Sequence, residues 1–424
     1  MRRVALLAAL LALSVHAGGA PQPAPADPAA AFAGWLAAFR AEAVAQGIQP
    51  GTFDAALAGA QPVERAIELD RRQPEFLQTF ADYLDRRVTP AQVARGQAML
   101  AEHAALLDAV EARYGVPKAV LVAFWGLETR YGGYLGDFNI PASLATLAWE
   151  GRRSAFFKAQ LIDALRIVDA GHVAAADMNG SWAGAMGQMQ FMPSTFRAYA
   201  LDGDGDGRID LWNSLPDALH SAANYLRRAG WRAGEPVARE VRLPENFDWR
   251  QARSTRRVPL ADWIAAGVTP ADGGAWPQTA GAVAIVLPQG WQGPAFMVFG
   301  NFDVVMQWNR SVNYALAVAQ LASRLAGGAP LIAQAGEPGA LSTAQVRAMQ
   351  HALNTLGYDT GMPDGLMGPR TQSALRRFQA AHGLPADGYP SPGVFARVEA
   401  AQAAADRLTL GLPAALSDPA GNQP

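Results

Sequence analysis

The chain contains no cysteine. That excludes disulfide staples, thiol nucleophiles, thiolate-held metals and an N-terminal lipid carried on cysteine. Charge is sparse as well: only 17% of the 424 residues are charged, and 35 basic against 37 acidic side chains leave a formal net charge of −2. A chain so balanced has no global basic field with which to hold nucleic acid or an anionic membrane. Beyond the N-terminus there is no apolar run long enough to span a bilayer, and no internal repeat. Core material, by contrast, is plentiful. Half of the residues are hydrophobic, which at this length predicts two or three globular domains. The 11 tryptophans either fill cores or stack on sugar rings.

Arg2 and Arg3 precede an apolar run at residues 4–13, followed by Ser14-Val15-His16-Ala17. This is the pattern of a cleavable secretory signal over residues 1–17. The run is shorter than a permanent membrane helix needs, which disfavours an uncleaved anchor. Residues 18–30 are a Gly, Ala, Pro leader, and helical spacing begins with Phe32, Trp35, Leu36, Phe39 and Val44, ending at Gln46-Gly47. Further helices are expected over residues 75–83, 90–112, 117–128 and 313–325, and a hairpin at 282–287 and 296–299 around a Gly-rich turn. Residues 31–326 form the main body. Residues 327–340 (GAPLIAQAGEPGA with its leading Gly) read as a linker, 341–402 as a small module and 403–424 as a tail.

The helix from Pro117 is apolar nearly all round, and after Lys118 its first charged side chain is Glu128. Apolar surroundings and the negative end of a helix dipole both disfavour ionisation there, which suits a general acid. An ion pair with Arg130 at the helix end is an equally simple reading of this segment alone. Residues 181–194 (SWAGAMGQMQFMPS) add Gly184 and Gly187, which let backbone come close to a ligand, and Gln190, which both donates and accepts. Ser194 reads as the cap of a helix starting at Thr195. Taken alone, this run also fits a packed turn between helices.

Residues 123–132 (AFWGLETRYG), 181–194 and 300–314 (GNFDVVMQWNRSVNY) together resemble the B family of lytic murein transglycosylases, over roughly residues 30 to 325. The resemblance implies a mainly α (α+β) fold: a lysozyme-like core at about 105–326, an extra helical N-terminal region and minor β structure. It implies cleavage of the β-1,4 bond between N-acetylmuramic acid and N-acetylglucosamine, leaving a 1,6-anhydromuramoyl end, in the periplasm and with no catalytic cofactor. Glu128 would be acid and then base. Ser181, Gln190, Tyr225, Asn309 and Tyr314 would line the cleft, and Arg152 and Arg153 would meet carboxylates of the muramoyl lactyl-peptide group. Trp308 stands where a Tyr is expected. Most glycosidases pair two carboxylates, and Asp137 and Asp163 are the candidates for a second. A hydrolytic muramidase and an inactive wall-binding protein are the alternatives.

Residues 202–210 (DGDGDGRID) match the front half of an EF-hand loop, with Asp202, Asp204, Asp206 and the Arg208 carbonyl as oxygens. Position twelve is Asn213, so the closing acid is missing there; the resemblance supplies Asp217 instead and implies a structural Ca2+ site. The DGxxGxxT run from Asp364 to Thr371, and a similar turn at residues 383–388, resemble the peptidoglycan-binding domain type 1, a three-helix fold. Its loops are expected to be structural, and its implied partner is the glycan strand.

Overall fold

The computed structural model describes residues 27–72, 78–277 and 281–410. The expected signal at 1–17, residues 18–26 of the leader and residues 411–424 of the tail lie outside the described residues. No helix among the described residues is long and apolar enough to cross a membrane.

The first helix, Pro28–Ala45, starts where Asp27 accepts from the Ala29 N–H and Pro28 takes the first helical position, so regular structure begins inside the expected leader. Pro28–Ala45, Pro50–Leu57 and Glu64–Arg72 pack on the pair Ile140–Glu150 and Ser154–Asp169. Phe32 and Phe39 are the buried anchors, and Trp35 stacks on Phe39 at 5.0 Å. The expected helix at 75–83 is replaced by Phe80–Arg87, because Thr79 caps the Asp82 N–H and sets the start; residues 73–77 lie outside the described residues. The run at 90–112 is two helices, Pro90–Glu102 and Ala104–Tyr114, hinged at His103.

At the centre lies Lys118–Thr129, whose residues from Val120 to Leu127 are all buried. Val312–Leu325, Pro90–Glu102, Ala104–Tyr114 and Leu215–Arg228 pack around it. A helix wrapped on all sides has no polar face to spare, hence its apolar sequence.

The expected hairpin forms, pairing Ala282–Val286 with Ala295–Val298 in antiparallel register. It belongs to a five-stranded sheet in the order Val258–Pro259, Ala282–Val286, Ala295–Val298, Ala238–Arg242, Thr269–Pro270. The central strands are covered on both faces. Val283 and Ile285 pack with Phe247, Trp263 and Met297, while Ala284 and Val286 face the main core. The two outer strands are two residues each, too short to leave a periodic signal.

The C-terminal module is three helices, Thr343–Thr355, Pro369–Ala381 and Pro392–Thr409, around Met349, Leu353, Leu375, Phe378 and Val398. The last helix runs past residue 402. Two buried glutamines clip its two Asp-Gly turns in the same way. Gln350 donates to Asp364 Oδ1 at 3.0 Å and accepts from Gly365 N at 2.8 Å; Gln379 donates to Asp387 Oδ1 at 2.7 Å and accepts from Gly388 N at 2.8 Å. These loops are therefore held from below by buried amides.

Residues 327–340 are without helix or strand but are tied down. Ile332 and Ala333 donate backbone N–H groups to Glu240, and Glu337 accepts from Gln289 through its carbonyl and from Gly393 N through its carboxylate. Asp387 Oδ2 accepts from Trp291 N at 2.8 Å, joining the module to the sheet layer.

Gly126 and Gly96 are where close packing is least forgiving: a Cβ at either would strike the Tyr131 ring or hydroxyl. Gly126→Ala is expected to cost about 1–3 kcal/mol by overpacking, read as a lower denaturant midpoint; an unchanged midpoint would show that the ring moves freely.

Candidate active site

Glu128 occupies the last turn of Lys118–Thr129, where the helix leaves backbone carbonyls without internal partners. Gln92 Nε2 donates to the Gly126 carbonyl at 2.8 Å and Arg87 to that of Leu127 at 3.4 Å. The chain then turns sharply through two consecutive left-handed residues, Arg130 with φ 54° and Tyr131 with φ 60°. Among the described residues, the third non-glycine with positive φ is Gln190, with φ 50°. All three sit in two of the three segments that the sequence singles out, and such backbone persists only where its surroundings hold it. Tyr131 is held by its hydroxyl, which donates to Gln92 O at 2.8 Å.

A second segment locks onto the helix end. Thr129 Oγ1 donates to Gln188 O at 2.9 Å and accepts from Gly132 N at 3.1 Å, while Trp125 Nε1 donates to Gln188 Oε1 at 2.8 Å. Gln188 and Thr129 are buried, and neither was singled out by sequence; a polar residue inside an apolar run was the available signal. Ser181 Oγ accepts from Ala185 N at 3.0 Å, and Gln190 Nε2 donates to Leu135 O at 3.1 Å and Gly187 O at 3.0 Å. Both side chains are half-buried. Gly184 and Gly187 make room for Leu144 and Leu211 rather than for a ligand. Ser194 is not a cap: Pro193 takes the first helical position of Pro193–Tyr199, Met192 precedes it, and the Ser194 N–H donates to Gln160 Oε1.

The third segment delivers two donors to one oxygen. Tyr314 Oη donates to Glu128 Oε1 at 2.5 Å, and Trp308 Nε1 donates to the same oxygen at 2.9 Å. The Tyr314 phenol is held well above its ordinary range by burial and then by the Glu128 carboxyl, so it stays a donor at neutral pH. The Trp308 ring is gripped by Phe124 at 4.6 Å, Tyr225 at 5.0 Å and Phe191 at 5.3 Å. An indole thus donates where a phenol was expected. Tyr225 supplies a ring edge, and burial pushes its hydroxyl up to about 12. Asn309 ends the helix Gly300–Trp308 directly after the indole and is half-buried.

The other expected residues are engaged elsewhere. Arg152 and Arg153 both turn to the buried carboxylate of Asp70, Arg152 Nε donating to Oδ2 at 2.6 Å, and so tie Glu64–Arg72 to the turn before Ser154–Asp169. Their geometry is that of a structural clamp, since one buried anion draws both cations. Asp163 pairs with Arg166 at 3.1 Å and Arg197 at 2.5 Å, and exposed Asp137 accepts from Tyr134 Oη at 3.0 Å.

In the acidic loop, carboxylate oxygens of Asp202, Asp204 and Asp217 all lie within 4.8 Å of one another. Asp217 is buried in the first turn of Leu215–Arg228, N-capped by Ser214, and accepts from Gly203 N at 2.7 Å and Asp210 N at 2.6 Å. Asp202 is held below the usual carboxylate range, chiefly by the Gly207 N–H, and is therefore anionic. Asp206 lies outside this group of three; it accepts from the Arg208 N–H at 2.8 Å, and the Arg208 side chain pairs with Asp210 at 2.6 Å. Asn213 also donates to Asp210. Three crowded hard oxygen donors fit a divalent cation of the calcium type.

Known proteins are similar to this chain over much of its length. The family model described as transglycosylase SLT domain matches residues 31–323, and that of a putative peptidoglycan binding domain matches residues 342–398. Membrane-bound lytic murein transglycosylase B of Escherichia coli (strain K12) is 33% identical over 250 residues, which are 58% of this chain and 66% of that protein. Pseudomonas aeruginosa SltB3, solved in complex with NAG-anhNAM-pentapeptide, is 46% identical with a TM-score of 0.84, covering 87% of this chain and 99% of that one. The Escherichia coli lytic transglycosylase Slt35, solved in complex with calcium, is 29% identical with a TM-score of 0.60, covering 69% of this chain and 92% of that one. With its buried glutamate helix, its clamped loop and its docked three-helix module, the chain belongs to the transglycosylase SLT family and carries a putative peptidoglycan-binding domain behind the catalytic region.

Proposed function

We propose that this protein is exported to the periplasm and cleaves the β-1,4 bond between N-acetylmuramic acid and N-acetylglucosamine of peptidoglycan, with Glu128 as its single acid and base. The observation that carries the reading is the convergence of Tyr314 and Trp308 on Glu128 Oε1. Two donors occupy the lone pairs of that oxygen, so the transferable proton belongs on Oε2. Glu128 gives this proton to the glycosidic oxygen as the C1–O bond breaks. The 6-hydroxyl of the muramoyl ring then attacks C1, and Glu128 takes its proton. One C–O bond breaks, one forms, the acid is restored and no water is consumed. SltB3 in complex with NAG-anhNAM-pentapeptide, a 1,6-anhydro sugar, supports this outcome at 46% identity. The pairing of Asp163 with two arginines and the exposure of Asp137 also favour a mechanism with one carboxylate. Ser181, Gln190, Asn309 and Tyr225 would wall the cleft and meet hydroxyl and acetamido groups of the sugars, a reading supported by their half-buried side chains.

Asp202, Asp204 and Asp217 would hold Ca2+, with no catalytic task. The ion would relieve the repulsion of three carboxylates and brace the start of Leu215–Arg228.

Glu128→Gln is expected to release no soluble fragments from purified sacculi while still co-sedimenting with them; turnover above a few per cent of wild type removes Glu128 from the mechanism. Trp308→Phe keeps the ring packing and loses one donor, so kcat is expected to fall about tenfold or more with the fold retained; an unchanged kcat would make the indole a packing group only. Chelator-treated protein is expected to give calorimetric heat with Ca2+ and a higher melting temperature, the gain being about 2.7 kcal/mol when the ion is at about a hundredfold its Kd. No heat and no shift at millimolar Ca2+ would rule the site out.

A further inference from the structure

A cavity of about 550 Å³ opens where the C-terminal module docks on the sheet layer. Its walls come from the loop at residues 252–255, the strand end at 286–288, the module's middle helix and the turn at 387–390. Val312 and Asn313 close it on the inner side. They stand immediately before Tyr314, in the first turn of the helix whose tyrosine reaches Glu128. The cavity lining and the tyrosine that reaches Glu128 thus share one helix turn.

Its charge is unbalanced. Arg253 and Arg376 both line it, and neither has a carboxylate within ion-pair distance among the described residues. Arg253 Nε donates only to the Arg250 carbonyl, at 2.9 Å. Arg376 makes a long contact, 3.4 Å, to the Ala252 carbonyl, and its buried Nε has no partner among the described residues. Burial first, and then the neighbouring Arg253, lower the Arg376 pKa, and the charge of Asp387 opposes them. The one carboxylate in the wall, Asp387, acts on Arg376 through space but makes its hydrogen bonds to other groups: Gln379 and Tyr389 N on Oδ1, Trp291 N on Oδ2, so two cations face one anion. A guanidinium carries five N–H donors in a fork that matches a carboxylate. Two of them with donors to spare form an anion receptor. Arg152 and Arg153, the cations expected to serve carboxylates, are already drawn to Asp70.

We propose that this interdomain cavity receives the acidic peptide substituent of the glycan strand, its carboxylates held by Arg253 and Arg376 while the sugars lie along Glu128. The inference rests on the peptidoglycan reading above. It makes the C-terminal module one wall of the substrate site rather than a separate tether.

The test compares kcat/KM on glycan strands bearing pentapeptides with that on strands stripped of peptide, using the full chain. Arg253→Gln, at an exposed position, is expected to lower the ratio of the two about tenfold, through KM, with partial recovery in Arg253→Lys. Arg376→Gln is expected to do the same. A ratio equal to that of wild type in Arg253→Gln overturns the proposal, as does an equal fall on both substrates, which would mark a docking role. Calorimetric titration with the free pentapeptide decides independently of turnover: binding to wild type that is weakened about tenfold in Arg253→Gln supports the cavity, and no binding to wild type overturns it. A wild-type protein that cleaves neither strand, yet binds the peptide, would instead defeat the cleavage reading.

Discussion

Two donors meeting on one carboxylate oxygen are the constraint around which the molecule is arranged. The indole of Trp308 and the phenol of Tyr314 come from 180 and 186 residues beyond Glu128. Bringing them there needs three elements to be rigid at once: the buried helix Lys118–Thr129, the helix Gly300–Trp308 and the helix Val312–Leu325. Each is fixed by a different means. The first is wrapped in apolar packing, the second has its indole gripped by three aromatic rings, and the third is capped by Ser311 and lies against the first.

The helix end beneath Glu128 is where that rigidity is least easily obtained. A helix that stops in the interior exposes carbonyls, and here Gln92, Arg87 and the Thr129 hydroxyl donate to those of Gly126, Leu127 and Trp125. The left-handed turn at Arg130 and Tyr131 is the second device, held from outside by the Tyr131 ring in the space left by Gly96 and Gly126. Strained backbone and buried side-chain hydrogen bonds thus both act to keep the Glu128 carboxyl in place.

How much of this was legible in the sequence follows from what each feature depends on. Glu128 stood out because a long apolar run ends in one acid, and the hairpin because two apolar runs flank a Gly-rich turn. Asp217 is brought to the loop carboxylates by the helix that Ser214 caps, whatever the spacing from Asp202. Other features depend on contacts between distant segments and carry no local mark. Arg152 and Arg153 are drawn to Asp70, 82 and 83 residues earlier, and Asp206 accepts from the Arg208 N–H within its own loop. The outer strands of the sheet are too short for periodicity, and the linker composition of residues 327–340 gave no sign that Glu240, Gln289 and Gly393 would hold it. Composition reports what a segment can do alone; docking depends on what it meets.

The central claim is that the substrate's own hydroxyl, not water, completes the reaction at Glu128. Digestion of sacculi in water labelled with heavy oxygen, followed by mass spectrometry of the fragments, addresses it directly. The account predicts anhydromuramoyl ends, lighter than reducing ends by one water and free of label. Reducing ends carrying heavy oxygen at C1 would contradict it.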